Sequence, residues 1–321
     1  MRRGALLSPA LLLASCGILR QIKPDLTLES EQVRLREHHE VFEAAVTALA
    51  VDASSRYAAL GSYDGALALF DLEAGDLLGS PFRAPGRRAG VTGIEAGSDP
   101  GAFEALLSDG RGVGLRVGTT PQVAGEPARP SAGTPRCRIV RGEGVRVRTA
   151  DRSGESLLPE PRATAAAARG RTLAVAAGAS PGTYRLRVFE GDRLACETGL
   201  GSMTVSLAFH PNRPEIAVGG SARVETFAYP AGARLWSRTV QGSALVAFDP
   251  RGRYLYVLYG ESLTILSPES GIELASLSAH RSASLAIAAS PEGALLVTGG
   301  TRGEIWVWEV LGGEPSPRGS P

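Results

Sequence analysis

Four stretches of this chain repeat one order of elements at a spacing of about forty residues. A period of that size restricts the fold to an array of small units that bury their faces against one another. The stretches are VTALAVDASSRYAALGSYDGALALFDLEAGDLL from Val46, VSLAFHPNRPEIAVGGSARVETFAYPAGARLW from Val205, ALVAFDPRGRYLYVLYGESLTILSPESGIELASL from Ala244 and SLAIAASPEGALLVTGGTRGEIWVWEVLGG from Ser284. Each reads as an apolar strand, a turn, a second strand, a tight turn and a third strand. With the end of the second strand as marker, the repeat falls at Gly61, Gly178, Gly219, Tyr259 and Gly299, and the last four are 41, 40 and 40 residues apart. The gap of 117 residues after Gly61 leaves room for two weaker units, with LLSDGRGVGLRV around Asp109 and RIVRGEGVRVRT around Gly142 as the candidates. About seven units of three or four short strands, with turn signals at regular spacing, predict a radial all-β array rather than βαβ units. The 40 glycines and 21 prolines of the 321 residues agree with a chain of many turns.

The last unit carries further markers. His280 opens it, Ser290-Pro291-Glu292-Gly293 forms its first turn, Thr298-Gly299-Gly300 ends its second strand and Ile305-Trp306-Val307-Trp308-Glu309 is its third. In the first unit, Ser62-Tyr63-Asp64-Gly65 and Leu67-Ala68-Leu69-Phe70-Asp71 match in the same order. These residues resemble the WD40 family of β-propellers over about residues 25–310, strongly at the ends and weakly from about 85 to 170. The resemblance implies a single propeller of about seven four-stranded blades. It also implies a hydrogen-bond set of His, Ser or Thr, Asp and Trp in each blade. Arg302 stands where that set needs Asp, and His38 and His39 lie further upstream of their unit than His280 does, so the set is expected to be incomplete. In the family, partners dock on the rim formed by the b–c turns and the d–a connections. That carries over to Tyr63, Asp64, Glu261 and Arg302 as the candidate partner-binding rim.

A ring needs its last blade completed. The final unit offers three strands and then runs into GGEPSPRGSP, too rich in Gly and Pro for a fourth. QVRLRE, residues 32–37, alternates apolar and charged residues as an outer strand with one wet face does. The amino-terminal strand is therefore expected to complete the last blade.

Upstream of that strand, Arg2 and Arg3 precede an apolar run from Ala5 to Ala14 that is shorter than the ~20 residues of a membrane-spanning helix. A charged start, a short apolar centre and small residues at the end fit a secretory signal. Leu13-Ala14-Ser15-Cys16 resembles the bacterial lipoprotein box, which implies cleavage before Cys16 and lipidation of its thiol. The other reading is an ordinary secreted protein with an incidental cysteine. Gly17, in place of Asp, points to the outer membrane in the enterobacterial sorting pattern. The expected organisation is a signal peptide over 1–15, a tether over 16–24, the propeller over 25–310 and a disordered tail over 311–321.

The search for chemistry returns little. With 34 Lys and Arg against 33 Asp and Glu, no overall charge collects nucleic acid. Glycine-rich SDGRGVG and RGEGVRV lack the strand-to-helix setting and the Lys-Ser/Thr ending of a phosphate loop and read as hairpin turns. His38 and His39 face opposite ways on a strand, so they make no metal pair. The remaining histidines, His210 and His280, stand in a turn and at a unit start. Cys137 and Cys196 can be read as a disulfide of an oxidising compartment or as two separately buried thiols. Tyr254, Tyr256 and Tyr259 are taken to share one face, as core or as an exposed patch. Arg87-Arg88 and the basic run from Arg136 to Arg148 read as solvated faces. No cofactor, metal site or catalytic residue is expected. The expected protein is a non-catalytic, lipid-anchored interaction scaffold of a Gram-negative cell envelope, monomeric alone, whose partners are other envelope proteins and, through Cys16, the membrane. The alternatives are an exported propeller enzyme of lactonase, quinoprotein or hydrolase type with its site in the central channel, and a degraded family member packed inside one obligate complex.

Overall fold

The computed structural model describes residues 28–85, 88–124, 136–140, 144–148, 156–160, 162–180, 182–278, 280 and 282–312. The lipoprotein box with Cys16, Arg87, Gly142, most of the tail and the side chain of Cys137 lie outside the described residues. Within them there are only strands, and no helix is long and apolar enough to cross a membrane.

The first strand among the described residues is β1 (Val33–Glu40), and antiparallel sheets follow in sequence order. The first sheet holds β2 (Val46–Val51), β3 (Tyr57–Ser62), β4 (Ala66–Asp71) and an outer strand broken into β5 (Asp76–Leu77) and β6 (Phe82–Arg83). The second holds β7 (Val91–Ala96), β8 (Ala102–Leu107), β9 (Gly112–Arg116) and β10 (Gln122–Ala124). The third has three described strands, β11 (Arg136–Val140), β12 (Gly144–Arg148) and β13 (Ser156–Leu158). The fourth holds β14 (Ala163–Arg169), β15 (Thr172–Ser180), β16 (Thr183–Glu190) and β17 (Arg193–Leu200). The fifth holds β18 (Thr204–Phe209), β19 (Glu215–Gly220), β20 (Arg223–Ala228) and β21 (Ala233–Thr239). The sixth holds β22 (Ala244–Phe248), β23 (Leu255–Tyr259), β24 (Ser262–Leu266) and β25 (Glu273–Ser278). The seventh takes β26 (Ser284–Ala289), β27 (Leu295–Gly300) and β28 (Glu304–Val310) from the end of the chain and β1 from its start.

The expected closing strand is present, and it is longer than the six residues that alternation suggested. β1 pairs with β28 from Val33 opposite Val310 to Glu40 opposite Glu304. Val33 is fully buried while Arg34 is half-exposed and ion-paired to Glu309. His38 and His39 therefore finish the last sheet instead of opening the first unit. His38 lies 4.4 Å from the Trp306 ring and His39 4.9 Å from the Phe70 ring, centroid to centroid.

First strands of successive sheets touch: β14 with β11 and β18, β22 with β18 and β26, and β2 with β26 and β7. The core is accordingly divided among the junctions. Tyr254, Tyr256, Trp306, Trp308 and Val33 fill the one between the sixth and seventh sheets, and Val46, Leu60, Phe70, Val297 and Val307 the one between the seventh and first. Full burial of each large apolar side chain is worth about 1.5–3 kcal/mol, so each sheet is stabilised mainly by its neighbours. Tyr259 departs from the expected shared tyrosine face. It packs in the junction between the fifth and sixth sheets, because an odd offset along a strand reverses the side-chain direction.

Small residues at the ends of second strands admit the next sheet. A Cβ on Gly61 would stand 2.5 Å from Val91 Cγ1, and one on Gly299 2.6 Å from Val46 Cγ1. Gly61, Gly219 and Gly299 are thus where the next sheet's inner strand crosses a second strand.

Candidate interaction surface

Each sheet has two ends. At one, which we term upper, backbone bonds tie the turn between second and third strands to the connection entering the first: Tyr63 N–H to Ala45 O, Ser221 N–H to Met203 O and Thr301 N–H to Ala283 O. At the lower end, the first turn is tied to the end of the third strand, as in Leu72 N–H to Arg56 O and Tyr229 N–H to Pro214 O.

The four rim candidates all lie at the upper end, on the adjacent first, seventh and sixth sheets. Tyr63 is 74% exposed and projects from its turn. Beside it, Asp64 accepts from Arg83 Nη2 at 2.7 Å and Ser62 Oγ at 2.6 Å. Partial burial raises the pKa of the Asp64 carboxyl, but the hydrogen bonds from Arg83 and Ser62 outweigh it and leave the group below the usual carboxylate value. Glu261 and Arg302 are exposed, and the Glu261 carbonyl accepts from His280 N–H.

Two exposed apolar residues on this side escaped the sequence reading. Met203 precedes β18, and Leu285 is the second residue of β26. Leu285 reads as a core position by alternation, but the register skips it, pairing Ser284 with Gly300 and Ala286 with Gly299. Thr47, Thr92, Thr164 and Val205 are skipped at the same place in their inner strands. These bulges re-aim the second residue at the upper ends of the inner strands. The threonine hydroxyls there donate to backbone carbonyls, Thr47 to Val91 O of the next sheet at 2.7 Å, Thr92 to Leu106 O at 3.2 Å and Thr164 to Ala176 O at 3.3 Å.

The one carboxylate on the seven inner strands is Glu95. Among the described residues no group of three or more His, Cys, Asp or Glu could hold a metal ion. His210 and His280 are spent on structure. His210 Nδ1 accepts from Asn212 N–H and Arg213 N–H in the first turn of its sheet. Burial, with Arg213 and Arg169 nearby, lowers its pKa to about 4. His280 Nε2 meets Thr298 Oγ1 at 2.8 Å, and Thr298 Oγ1 also accepts from Trp308 Nε1 at 3.0 Å. Burial, reinforced by His38, lowers the His280 pKa to about 3. Three of the four expected hydrogen-bonding partners are thus in place. His280 Nδ1 has no hydrogen bond, as expected with Arg302 in the aspartate's place.

The two cysteines belong to strands of different sheets. Cys196 carries a free thiol on β17, the outermost strand of the fourth sheet, while the backbone of Cys137 lies on β11, which touches that sheet's innermost strand. Three strand spacings of about 4.8 Å separate β14 from β17, against the ~7 Å limit for bridged α-carbons. In the basic run, β11 and β12 set Arg136 opposite Arg148 and Arg138 opposite Arg146.

Comparison with known proteins bears on the fold. The family model described as "WD domain, G-beta repeat" matches residues 271–309, which run from the last turn of the sixth sheet to the last strand of the seventh. No curated protein matches the chain. A chain of the solved structure titled "Crystal Structure of Mitotic Checkpoint Complex" is similar with a TM-score of 0.69 at 12% identity, covering 97% of each chain. As many as 1564 solved chains match, so the likeness singles out no function. Residues 271–309 are thus similar to a WD40 repeat, in an all-β fold of antiparallel sheets that is similar to a WD40 propeller.

Proposed function

We propose that this protein is a lipid-anchored, seven-bladed β-propeller that acts as a non-catalytic interaction scaffold in the envelope of a Gram-negative bacterium, tethered through Cys16. WD40 propellers generally bind other proteins. The observation that carries the reading is the upper end. Exposed Tyr63, Met203 and Leu285, with the charged groups of Asp64, Arg83, Glu261 and Arg302, present the mixed aromatic, apolar and charged composition of recognition surfaces. On the wall of the inner strands, the hydroxyls of Thr47, Thr92 and Thr164 are engaged by backbone carbonyls, and among the described residues no pair of nucleophile and base is assembled there. The lipoprotein box and the short apolar run before it support the anchor.

The test is crosslinking and pull-down from membranes with the wild-type chain, a Tyr63→Ala/Leu285→Ser variant and a Cys16→Ala variant. The expected outcome is a defined set of crosslinked envelope proteins that the double variant loses while still folded, and release of the Cys16 variant from the membrane fraction. Unchanged crosslinks in the double variant would remove the upper end as the docking surface. Normal processing and retention of the Cys16 variant would remove the anchor.

A further inference from the structure

Among the described residues, seven exposed large apolar side chains fall into two groups. Tyr63, Met203 and Leu285 belong to the upper end. Leu78, Leu194, Leu235 and Ile272 lie on the outer edge near the lower end, at the start of the outermost strand of their sheets. Ile272, at 63% exposure, sits in the last turn of the sixth sheet. Leu194 follows the turn into β17, and Leu235 is the residue that the β20–β21 register skips. Leu78 continues the line of β5 in the first sheet.

These four flank the place where the chain enters. Residues 28–35 fold back as a hairpin on the outer edge of the seventh sheet: Leu35 N–H donates to Leu28 O, and Leu311 N–H to Gln32 O. The entry thus lies between the first sheet, with Leu78, and the sixth, fifth and fourth, with Ile272, Leu235 and Leu194. From Leu28 back to Cys16 there are 12 residues, which reach at most about 40 Å when fully extended. A tether that short holds the lower edge at high effective concentration beside whatever anchors it, so contacts too weak alone act together. Three carboxylates near that edge are paired, Glu269 with Arg213, Glu273 with Arg238 and Glu73 with Arg56, which lowers part of the cost of approaching an apolar surface.

We propose that the lower outer edge, through Leu78, Leu194, Leu235 and Ile272, rests on the lipid bilayer and turns the upper end away from it. The proposal rests on the lipid-anchor reading. It makes the four leucine and isoleucine side chains a second, weak membrane contact beside the acyl chains, one that orients the protein where the acyl chains alone hold it.

The experiment uses the full acylated chain in phosphatidylethanolamine–phosphatidylglycerol vesicles, with Cys137→Ser and Cys196→Ser as background. An environment-sensitive fluorophore is attached singly through Leu235→Cys, Ile272→Cys or Tyr63→Cys. The expected result is blue-shifted emission and quenching by spin-labelled lipid at positions 235 and 272, with position 63 quenched only from water. Acylated protein in which 235 and 272 are as water-accessible as 63 would overturn the lower-edge contact alone. Shielding of 235 and 272 that follows protein density and is insensitive to spin-labelled lipid would overturn it in favour of a second copy. If mass spectrometry found no lipid on Cys16 and the chain did not partition to the vesicles, the anchor reading would fall and the contact with it.

Discussion

His280 shows how a sequence departure becomes a physical property. The Trp308–Thr298–His280 chain is buried, and its open end is the unmatched Nδ1. Thr298→Val keeps the shape and strands two buried ring nitrogens, so a loss of about 2–4 kcal/mol is expected in urea unfolding. Arg302→Asp supplies the missing acceptor and is expected to raise stability by about 0.5–1.5 kcal/mol in the same assay. The two buried histidines also set a pH dependence. Their folded pKa values, about 3 for His280 and about 4 for His210, lie below the ordinary 6.5, so the unfolded state binds more protons. Stability should therefore fall as pH drops below about 6.5, with a slope approaching two protons until pH nears 4. Urea midpoints across that range check it, and His210→Asn should remove about one proton of the slope. The markers at Gly61, Gly219 and Gly299 were legible because a glycine at a crossing has a steric cause. Which way Tyr259 points and where His38 belongs were not, since both depend on strand boundaries that local sequence places only to within a few residues.

At the scale of the strand, the bulges are the feature that alternation conceals. Outer strands skip one residue near the lower end: Arg36 in β1, Ala195 in β17, Leu235 in β21 and Leu274 in β25. An outer strand has an unpaired edge, and a bulge twists it away from edge-to-edge pairing. Deleting Ala195 together with Leu235 should flatten two such edges. The expected result is faster light-scattering growth on heating, compared at equal fractions unfolded. The closing strand itself was legible, because a half-exposed strand must alternate and residues 32–37 do so. The region from about 85 to 170 was legible only as a length to be filled. There the expected turn at Asp109 does join β8 to β9, and Gly110 adopts the positive φ of 88° that such a tight turn asks of glycine.

For the whole molecule, the seventh sheet is the one that both ends of the chain must make together. Removing residues 1–40 would uncover Trp306 and Trp308 and leave β28 as an unpaired apolar edge. Such a chain is expected to lose cooperative thermal unfolding, and a peptide of residues 28–41 added in trans should restore part of it, as followed by tryptophan fluorescence. The same pairing has a mechanical side. Among the described residues, a pull arriving from the amino-terminal side meets the hairpin of residues 28–35 and then β1, so the strand that completes the seventh sheet bears the load early. Force enough to strip β1 would open the seventh sheet first, and release of the pull would let β1 pair with β28 again.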